Sequence, residues 1–337
     1  MEYRTLGRAG VKVSPLCLGT MMFGGPTNEK DSIRIIHKAL DAGINFMDTA
    51  NVYNDGESER IIGKAVRDNR ENWVIATKVH GNMGDDVNSS GSHRFHIMSA
   101  VEASLERLDT DHIDVYYLHR WDATTRIEES LRALDDCVRQ GKVRYIACSN
   151  FQAWRICEAL WTSDKQGLEE FVCVQPLYNI VNRDPEVELL PFCEKYGVGV
   201  VPYSPLARGV LAGKYLPGKK PPTGSRAARK DRRILQTELR EESYEVAQKL
   251  KPLADAHDKT LTQFSLAWVL ANPIITSAII GPRTMKQLED NLGCLDCTLT
   301  EADEATINEL VPPGEHTGKG YNDPAYPVLG RLTPEPR

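Results

Sequence analysis

The chain has little that would bring it to a nucleic acid or a membrane. Its 41 lysines and arginines are outnumbered by 47 aspartates and glutamates, which leaves a net charge of −6. An acidic chain without a basic stripe gives no electrostatic footprint for nucleic acid. No apolar run approaches the roughly 20 residues that a membrane helix needs, and the N-terminus has no apolar signal segment. We therefore expect a cytoplasmic protein, a monomer or a homo-oligomer, that binds neither nucleic acid nor membrane.

The chain also lacks a cysteine pattern that signals disulfides or a metal. Its eight cysteines are scattered through apparent strands and helices, as free thiols in a reducing compartment are. Cys294 and Cys297 have CxxC spacing, but a redox or metal function would need a second pair or a thioredoxin-like context. Neither is present, so we interpret both as incidental thiols.

What the chain does have is a regular alternation of short apolar runs and amphipathic segments. After a predicted hairpin over residues 3–13, eight runs rich in Val, Ile and Tyr cover residues 16–19, 45–48, 73–78, 114–119, 143–149, 173–178, 199–203 and 275–281. Nearly continuous runs are typical of parallel strands buried on both faces. Periodicity predicts helices between them over residues 29–40, 97–108, 127–138, 185–196, 263–270 and 284–292, with Asp184 as the N-cap of the fourth.

These repeats predict an α/β fold, a closed (β/α)8 TIM barrel with an N-terminal β-hairpin and long loops at the C-terminal rim. The alternative, a doubly wound open sheet, would carry G-x-G-x-x-G after its first strand, and the stretch from Leu18 to Gly25 lacks it. Three segments do not fit the alternation of strands and helices: residues 81–94, residues 215–233 and a tail over 312–337. We expect all three at one rim of the barrel. We predict a single domain over residues 1–337.

Four polar side chains fall at or just past the ends of the second, third and fourth runs. They are Asp48, Tyr53, Lys78 and His119. Because the C-terminal strand ends of a barrel face one pocket, we expect them to converge. A nearby ammonium stabilises a phenolate and lowers the phenol's pKa, a carboxylate balances the buried ammonium, and an imidazole orients an incoming oxygen. The set fits protonation of the oxyanion formed when hydride reaches a carbonyl carbon.

Several motifs in order give the chain a specific resemblance to the aldo-keto reductase superfamily, in its shorter-looped branch that includes potassium-channel β subunits. The matching stretches are residues 43–53, 56–59, 76–78, 111–119, 141–151, 175–179 and 203–209. The resemblance implies the same barrel and an NADPH-dependent oxidoreductase (NADPH/NADP+) that reduces a small-molecule aldehyde or ketone reversibly. It implies Tyr53 as the general acid, Lys78 and Asp48 as the residues that tune it, and His119 as the residue that orients the carbonyl.

The resemblance also implies which residues hold the cofactor. They are Gly19, Thr20, Met21, Asp48, Ser149, Asn150, Gln175, Tyr203, Ser204, Pro205, Leu206, Arg208, Lys214, Gly281, Arg283, Gln287, Asp290 and Asn291. Among them, Tyr203 would stack on the nicotinamide and Arg283 would pair with the 2′-phosphate. The expected substrate contacts, on the early rim loops, are Phe23, Tyr53, His119 and Trp121, with Arg120 beside them.

Two other classes of protein stay open at this point. A redox-sensing regulatory subunit with little turnover would keep the same cofactor residues. A metal-dependent barrel hydrolase would need His and carboxylate ligands at several strand ends, and only His119 lies at one.

Overall fold

A computed structural model describes residues 1–321 and 323–326. The strands of this part are β1 Arg4–Thr5, β2 Lys12–Val13, β3 Leu16–Gly19, β4 Phe46–Asp48, β5 Val74–Val79, β6 Ile113–Leu118, β7 Val143–Ser149, β8 Phe171–Gln175, β9 Gly199–Val200 and β10 Ala278–Ile280. Its α-helices are α1 Glu29–Asp41, α2 Glu57–Val66, α3 Arg94–Leu108, α4 Ile127–Arg139, α5 Ala153–Gln166, α6 Leu189–Tyr196, α7 Arg232–Gln236, α8 Glu241–Ala256, α9 Leu261–Ala271, α10 Met285–Leu292 and α11 Glu301–Leu310.

Strands β3 to β10 form one parallel sheet in the order β10-β3-β4-β5-β6-β7-β8-β9. The sheet curls until its edges meet, since Thr276 N donates to Val200 O over 2.8 Å and Ile279 N donates to Pro202 O over 3.0 Å. Close approach of β3 and β10 requires Gly19, where a Cβ would lie 2.6 Å from the Ile279 side chain. The predicted (β/α)8 barrel is confirmed.

The hairpin formed by β1 and β2 covers the N-terminal end of the barrel. Leu6 and Val13 are fully buried among the side chains that fill the barrel interior. Gly7, with a φ of +55°, passes so close to β8 and β9 that a Cβ would lie 2.1 Å from Val172 O. Glycine alone tolerates both that backbone conformation and that contact. A ligand therefore reaches the barrel from the opposite end.

Two apolar layers hold the barrel together. Inside it, residues such as Phe46, Val115 and Tyr117 fill the space between strands. Outside it, the other face of each strand packs against the helices, for example through Ile75 and Leu134. Burial on both faces explains why these strands read as continuous apolar runs.

One predicted helix is wrong in its first half. Residues 185–196 were expected to form one helix capped by Asp184, but Asp184–Glu186 forms a 3-10 turn and α6 begins only at Leu189. The buried Arg183 explains the break, because its Nε donates to both oxygens of Glu186 at 3.0 Å and its Nη1 to Val311 O at 2.8 Å. Asp184 instead accepts a hydrogen bond from His316.

Other boundaries differ by a few residues. Predicted strands 173–178 and 199–203 end early, at Gln175 and Val200, because Pro176 and Pro202 have no N–H to continue the ladder. Helices α2, α5, α8 and α11 were not delimited from the sequence, and α7 overlaps the end of the predicted loop 215–233.

The interrupting segments lie at the C-terminal rim, as expected. The loop after β5 is fixed there by Asp122, which accepts from Ser92 N at 2.8 Å. The tail reaches the rim at Asp323, which binds Arg233. Residues 322 and 327–337 of the predicted tail lie outside the described residues, and a single domain over the whole chain stays a prediction.

His80, at the end of β5, predicts a pH dependence of stability. Burial lowers the pKa of His80 from 6.5 to about 4, and its Nδ1 lies 3.1 Å from Ser92 Oγ. The folded state therefore favours the neutral ring. The contribution of His80 to the free energy of unfolding is present above about pH 6.5 and is lost as the pH falls towards 4. We expect the urea concentration at the midpoint of unfolding to fall as the pH is lowered from 6.5 to 4, and to fall less in His80→Gln than in the wild type. A midpoint that falls as steeply in His80→Gln as in the wild type would contradict this prediction.

Candidate active site

A cavity of about 420 Å³ opens at the C-terminal rim. All eighteen residues that the resemblance implied for the cofactor line it, from the ends of β3, β4, β7, β8, β9 and β10 and the segments after them. Tyr53 and His119 line it beside Asp48, and Lys78 lies fully buried behind them. The structure thus places three of the four predicted catalytic residues in the wall of one cavity and the fourth, Lys78, behind that wall.

Tyr53 is held by an unusual turn between β4 and α2. The two residues after it, Asn54 and Asp55, have φ values of 48° and 54°, a conformation that costs free energy outside glycine. The turn is stabilised by Asn54 Nδ2, which donates to Met21 O at 3.1 Å and to Phe23 O at 2.7 Å. Two rim loops are therefore bound together where Tyr53 enters the cavity.

Lys78 joins Asp48 to Tyr53. Its ammonium donates to Asp48 Oδ1 and to Thr49 O, both at 2.6 Å, and to the Tyr53 hydroxyl at 3.4 Å. Burial alone would lower the pKa of Lys78, but Asp48 and Tyr53 outweigh it and the pKa is raised. Lys78 is therefore charged at neutral pH.

The pKa of Tyr53 differs from the expectation. Burial raises it, and the opposing effect of the Lys78 ammonium, which the sequence suggested would prevail, only reduces that rise. Tyr53 is therefore a protonated phenol at neutral pH and holds a proton that it can donate. Lys78 limits the cost of the phenolate that remains after donation.

His119 is neutral. Burial and the neighbouring Lys78 lower the pKa of its imidazole well below the ordinary value. Its ring stands edge-on to Tyr53, with centroids 6.0 Å apart and planes at 80°. A neutral imidazole in this position can hydrogen-bond to an oxygen next to the phenol, but it carries no extra proton to deliver.

A hydrogen-bond chain fixes the neighbouring strand ends. Gln175 Nε2 donates to the second oxygen of Asp48 at 2.9 Å. Asn150 Nδ2 donates to His119 O at 3.0 Å, while Asn150 Oδ1 accepts from the Tyr203 hydroxyl at 2.9 Å. The polar groups at the floor of the cavity are thus positioned before any ligand binds.

Cations gather at the far end of the cavity. Lys214, Arg226 and Arg283 line it. Burial lowers the pKa of Lys214, and Arg283 and Arg226 lower it further because like charges repel. Among residues 1–321 and 323–326, neither Lys214 nor Arg283 has a salt-bridge partner. Such a cluster is suited to an anion with more than one negative group.

Arg208 lies between the two ends of the cavity. Its φ of +53° places it in the left-handed region, and its Nε donates to Glu238 Oε2 at 2.8 Å in a buried ion pair. The guanidinium carbon lies 6.0 Å from the Tyr203 ring centroid. Glu238 therefore fixes the side chain beside the predicted stacking position.

Two of the predicted substrate contacts do not line the cavity. Phe23 is fully buried in the outer core, and only its carbonyl supports the site, by binding Asn54. Trp121 lies in a separate groove, where its ring packs edge-on against Phe151 at 5.5 Å and beneath the Arg155 guanidinium at 4.4 Å. Neither side chain lines the cavity, and a contact of Phe23 or Trp121 with substrate stays a prediction. Arg120, predicted beside them, is exposed.

The sequence missed several residues that do line the cavity. Arg226, Arg233, Thr262 and Tyr326 are the ones with a charge or a hydroxyl group. The Lys/Arg-rich composition of residues 215–233 could have indicated the two arginines. Nothing in the sequence around Tyr326 links it to the site, since the tail must first cross the rim.

Three other features bear on the alternatives. In the described ranges, no three His, Cys, Asp or Glu side chains are grouped as metal ligands would be. All eight cysteines lie in those ranges, and each is a free thiol. No helix there is both long and apolar enough to cross a lipid bilayer.

The barrel and the polar side chains gathered at its C-terminal rim agree with the family comparison. The chain belongs to the aldo/keto reductase family, whose pattern matches residues 15–312. It is similar to the "uncharacterized oxidoreductase YrpG" of Bacillus subtilis, with 40% identity over 95% of this chain and 99% of that protein. A "probable voltage-gated potassium channel subunit beta" of Arabidopsis thaliana is 37% identical over 88% of this chain and 92% of its own. The "versiconal hemiacetal acetate reductase" of Aspergillus parasiticus is 33% identical over 95% of this chain and 100% of that protein.

Proposed function

We propose that the protein is an NADPH-dependent carbonyl reductase of the cytoplasm that converts an aldehyde or ketone to an alcohol, reversibly, with Tyr53 as the general acid. The observation that carries the proposal is the arrangement of one cavity. A protonated phenol bound to a buried ammonium lies at one end, and Lys214 and Arg283, which have no salt-bridge partner among the described residues, lie at the other.

The cofactor, when bound, supplies a hydride to the carbonyl carbon. The carbonyl oxygen then gains negative charge beside Tyr53 and His119. Tyr53 donates its proton to that oxygen, and Lys78, held by Asp48, stabilises the phenolate that is left. His119 donates a hydrogen bond that orients the carbonyl oxygen towards the phenol. In the reverse direction Tyr53 accepts the alcohol proton.

The residues present fit a dinucleotide with an extra phosphate. Ser149, Asn150 and Gln175 offer amide and hydroxyl groups at the end next to Tyr53, which suits a carboxamide. Lys214 and the segment 204–209 would hold the pyrophosphate. Arg283 precedes α10, and the free N–H groups and dipole at that helix start favour an anion, so Arg283 would hold the 2′-phosphate.

Arg283→Ala tests this assignment together with the function. NADPH-linked turnover of an aldehyde panel, followed by NADPH absorbance, should be measurable in the wild type. In Arg283→Ala we expect the KM for NADPH to rise by about tenfold or more, because a charge-assisted bond to phosphate contributes roughly 1.5–3 kcal/mol. The KM for NADH should change little. Lys286→Ala, an exposed cation on the same helix, should behave as wild type, and equal losses for both cofactors would contradict the assignment.

A second candidate function is a redox-sensing regulatory subunit, and the similarity to a probable potassium channel β subunit favours it. Such a protein would bind NADPH and turn over slowly. Tight NADPH binding without reduction of any aldehyde or ketone in the panel would favour this candidate over the reductase.

A further inference from the structure

The chain after α11 crosses the rim of the barrel. We call residues 311–321 and 323–326 the C-terminal strap. It first pairs with the loop after β8, where Arg183 N donates to Glu315 O at 2.8 Å and Thr317 N donates to Val181 O at 3.1 Å. Its start is therefore fixed by backbone bonds to the barrel.

The described part of the strap ends at the cavity. Tyr326 lines the cavity together with Tyr53 and Tyr203. A tight turn presents it there, since Asp323 Oδ1 accepts from Ala325 N at 2.9 Å and Asp323 O accepts from Tyr326 N at 3.1 Å. The position of Tyr326 thus depends on where Asp323 is held.

Asp323 is held by Arg233 of α7. Two N–H groups of Arg233 donate to the two carboxylate oxygens at 2.9 and 2.7 Å, and the guanidinium lies 5.7 Å from the Tyr326 ring centroid. The side chains of Arg233 and Asp323 are 24% and 12% exposed. A bidentate pair that is mostly removed from water is stronger than an ordinary surface ion pair. We call this pair the latch.

The latch is also connected to the cations of the cavity. Asp231 caps α7, because its Oδ1 accepts from Arg233 N and from Ile234 N, both at 3.1 Å. Its Oδ2 pairs with Arg226 at 3.3 Å, and Arg226 lines the cavity with Lys214. One carboxylate therefore ties Arg226, one of the cations that line the cavity, to the helix that carries the latch.

We propose that the Arg233–Asp323 latch couples the two ends of the cavity, so that it both holds Tyr326 as a wall of the carbonyl pocket and retains the cofactor. The inference rests on the proposed function. Arg233 and Asp323 are positioning residues, and Tyr326 selects the substrate. A phenol ring in the cavity wall that Tyr53 also lines favours an aldehyde or ketone with a flat aromatic group over a small aliphatic one, since aromatic surfaces prefer to pack on each other.

The test compares Arg233→Ala, Asp323→Ala and the double variant with Arg232→Ala, which removes an exposed cation from the same helix. NADPH release is measured as loss of NADPH fluorescence on displacement by excess NADP+. Selectivity is measured as kcat/KM for 4-nitrobenzaldehyde over that for butyraldehyde. If Asp323→Ala unfolds at a lower temperature than the wild type, Asp323→Asn, which keeps the volume of the side chain, replaces it.

We expect each single variant to release NADPH about tenfold faster and to lose most of the aromatic preference, as removal of a coupled pair worth about 1.4 kcal/mol would cause. The double variant should release NADPH no faster, and lose no more of the aromatic preference, than either single variant. Arg232→Ala should match the wild type in both measurements. Release at the wild-type rate with unchanged selectivity would overturn the proposal, and so would additive losses in the double variant. Because NADPH release is measured without turnover, an inactive wild type would contradict the reductase and leave the latch to be decided by release alone.

Discussion

Replacing Tyr53 by Phe is expected to remove turnover and to leave NADPH binding nearly intact. The substitution deletes the hydroxyl to which Lys78 Nζ donates, while the ring still fills its place. Loss of a positioned general acid costs about 10²–10⁴-fold in rate. Steady-state kinetics with an aldehyde and a fluorescence titration with NADPH measure the two quantities separately.

The matched control is Tyr145→Phe, which deletes a phenol hydroxyl nearer the N-terminal end of the same barrel. It should retain full turnover. Substantial activity in Tyr53→Phe would instead assign the proton to another group. Because His119 is neutral and carries no extra proton, we do not expect it to replace Tyr53 as the acid.

The second large effect is expected from Lys78→Met. This change leaves Asp48 buried with no ammonium partner, and removing one member of a buried ion pair costs about 3–5 kcal/mol. We expect a marked loss of thermal stability together with loss of turnover. Differential scanning calorimetry and the aldehyde assay give the two results on the same preparation.

The double variant Asp48→Asn with Lys78→Met separates stability from catalysis. It removes both charges, so most of the lost stability should return, because a buried pair can often be replaced as a whole at little cost. Turnover should not return, since Tyr53 still lacks the ammonium. A double variant as unstable as the single one would show that the fold depends on Lys78 for something other than its charge balance.

The sequence predicts the barrel and most of its site for a physical reason. Strands buried on both faces must be apolar along their whole length, so a polar residue at the end of such a run is conspicuous. Asp48, Lys78 and His119 are found in this way, and Tyr53 lies a few residues further on. Local signals of this kind need no knowledge of tertiary contacts.

What the sequence could not predict depends on contacts between distant segments. Phe23 looks like a pocket residue because it follows the first barrel strand, but its ring turns into the core. Arg183 breaks a well-patterned helix only because Glu186 and the end of α11 surround it. Tyr326 reaches the cavity only because the strap crosses the rim. The raised pKa of Tyr53 likewise results from burial, and the spacing of residues along the chain does not predict burial of that side chain.

The hairpin at the closed end has a consequence for handling the protein. Met1 lies beside Gly43, before β4, at the end of the barrel opposite the cavity that Tyr326 lines. An affinity tag on the N-terminus would lie at the end of the barrel opposite the cavity. A fusion to the C-terminus would be joined through the segment that passes the mouth at Tyr326. Assays of release and selectivity therefore call for N-terminally tagged protein.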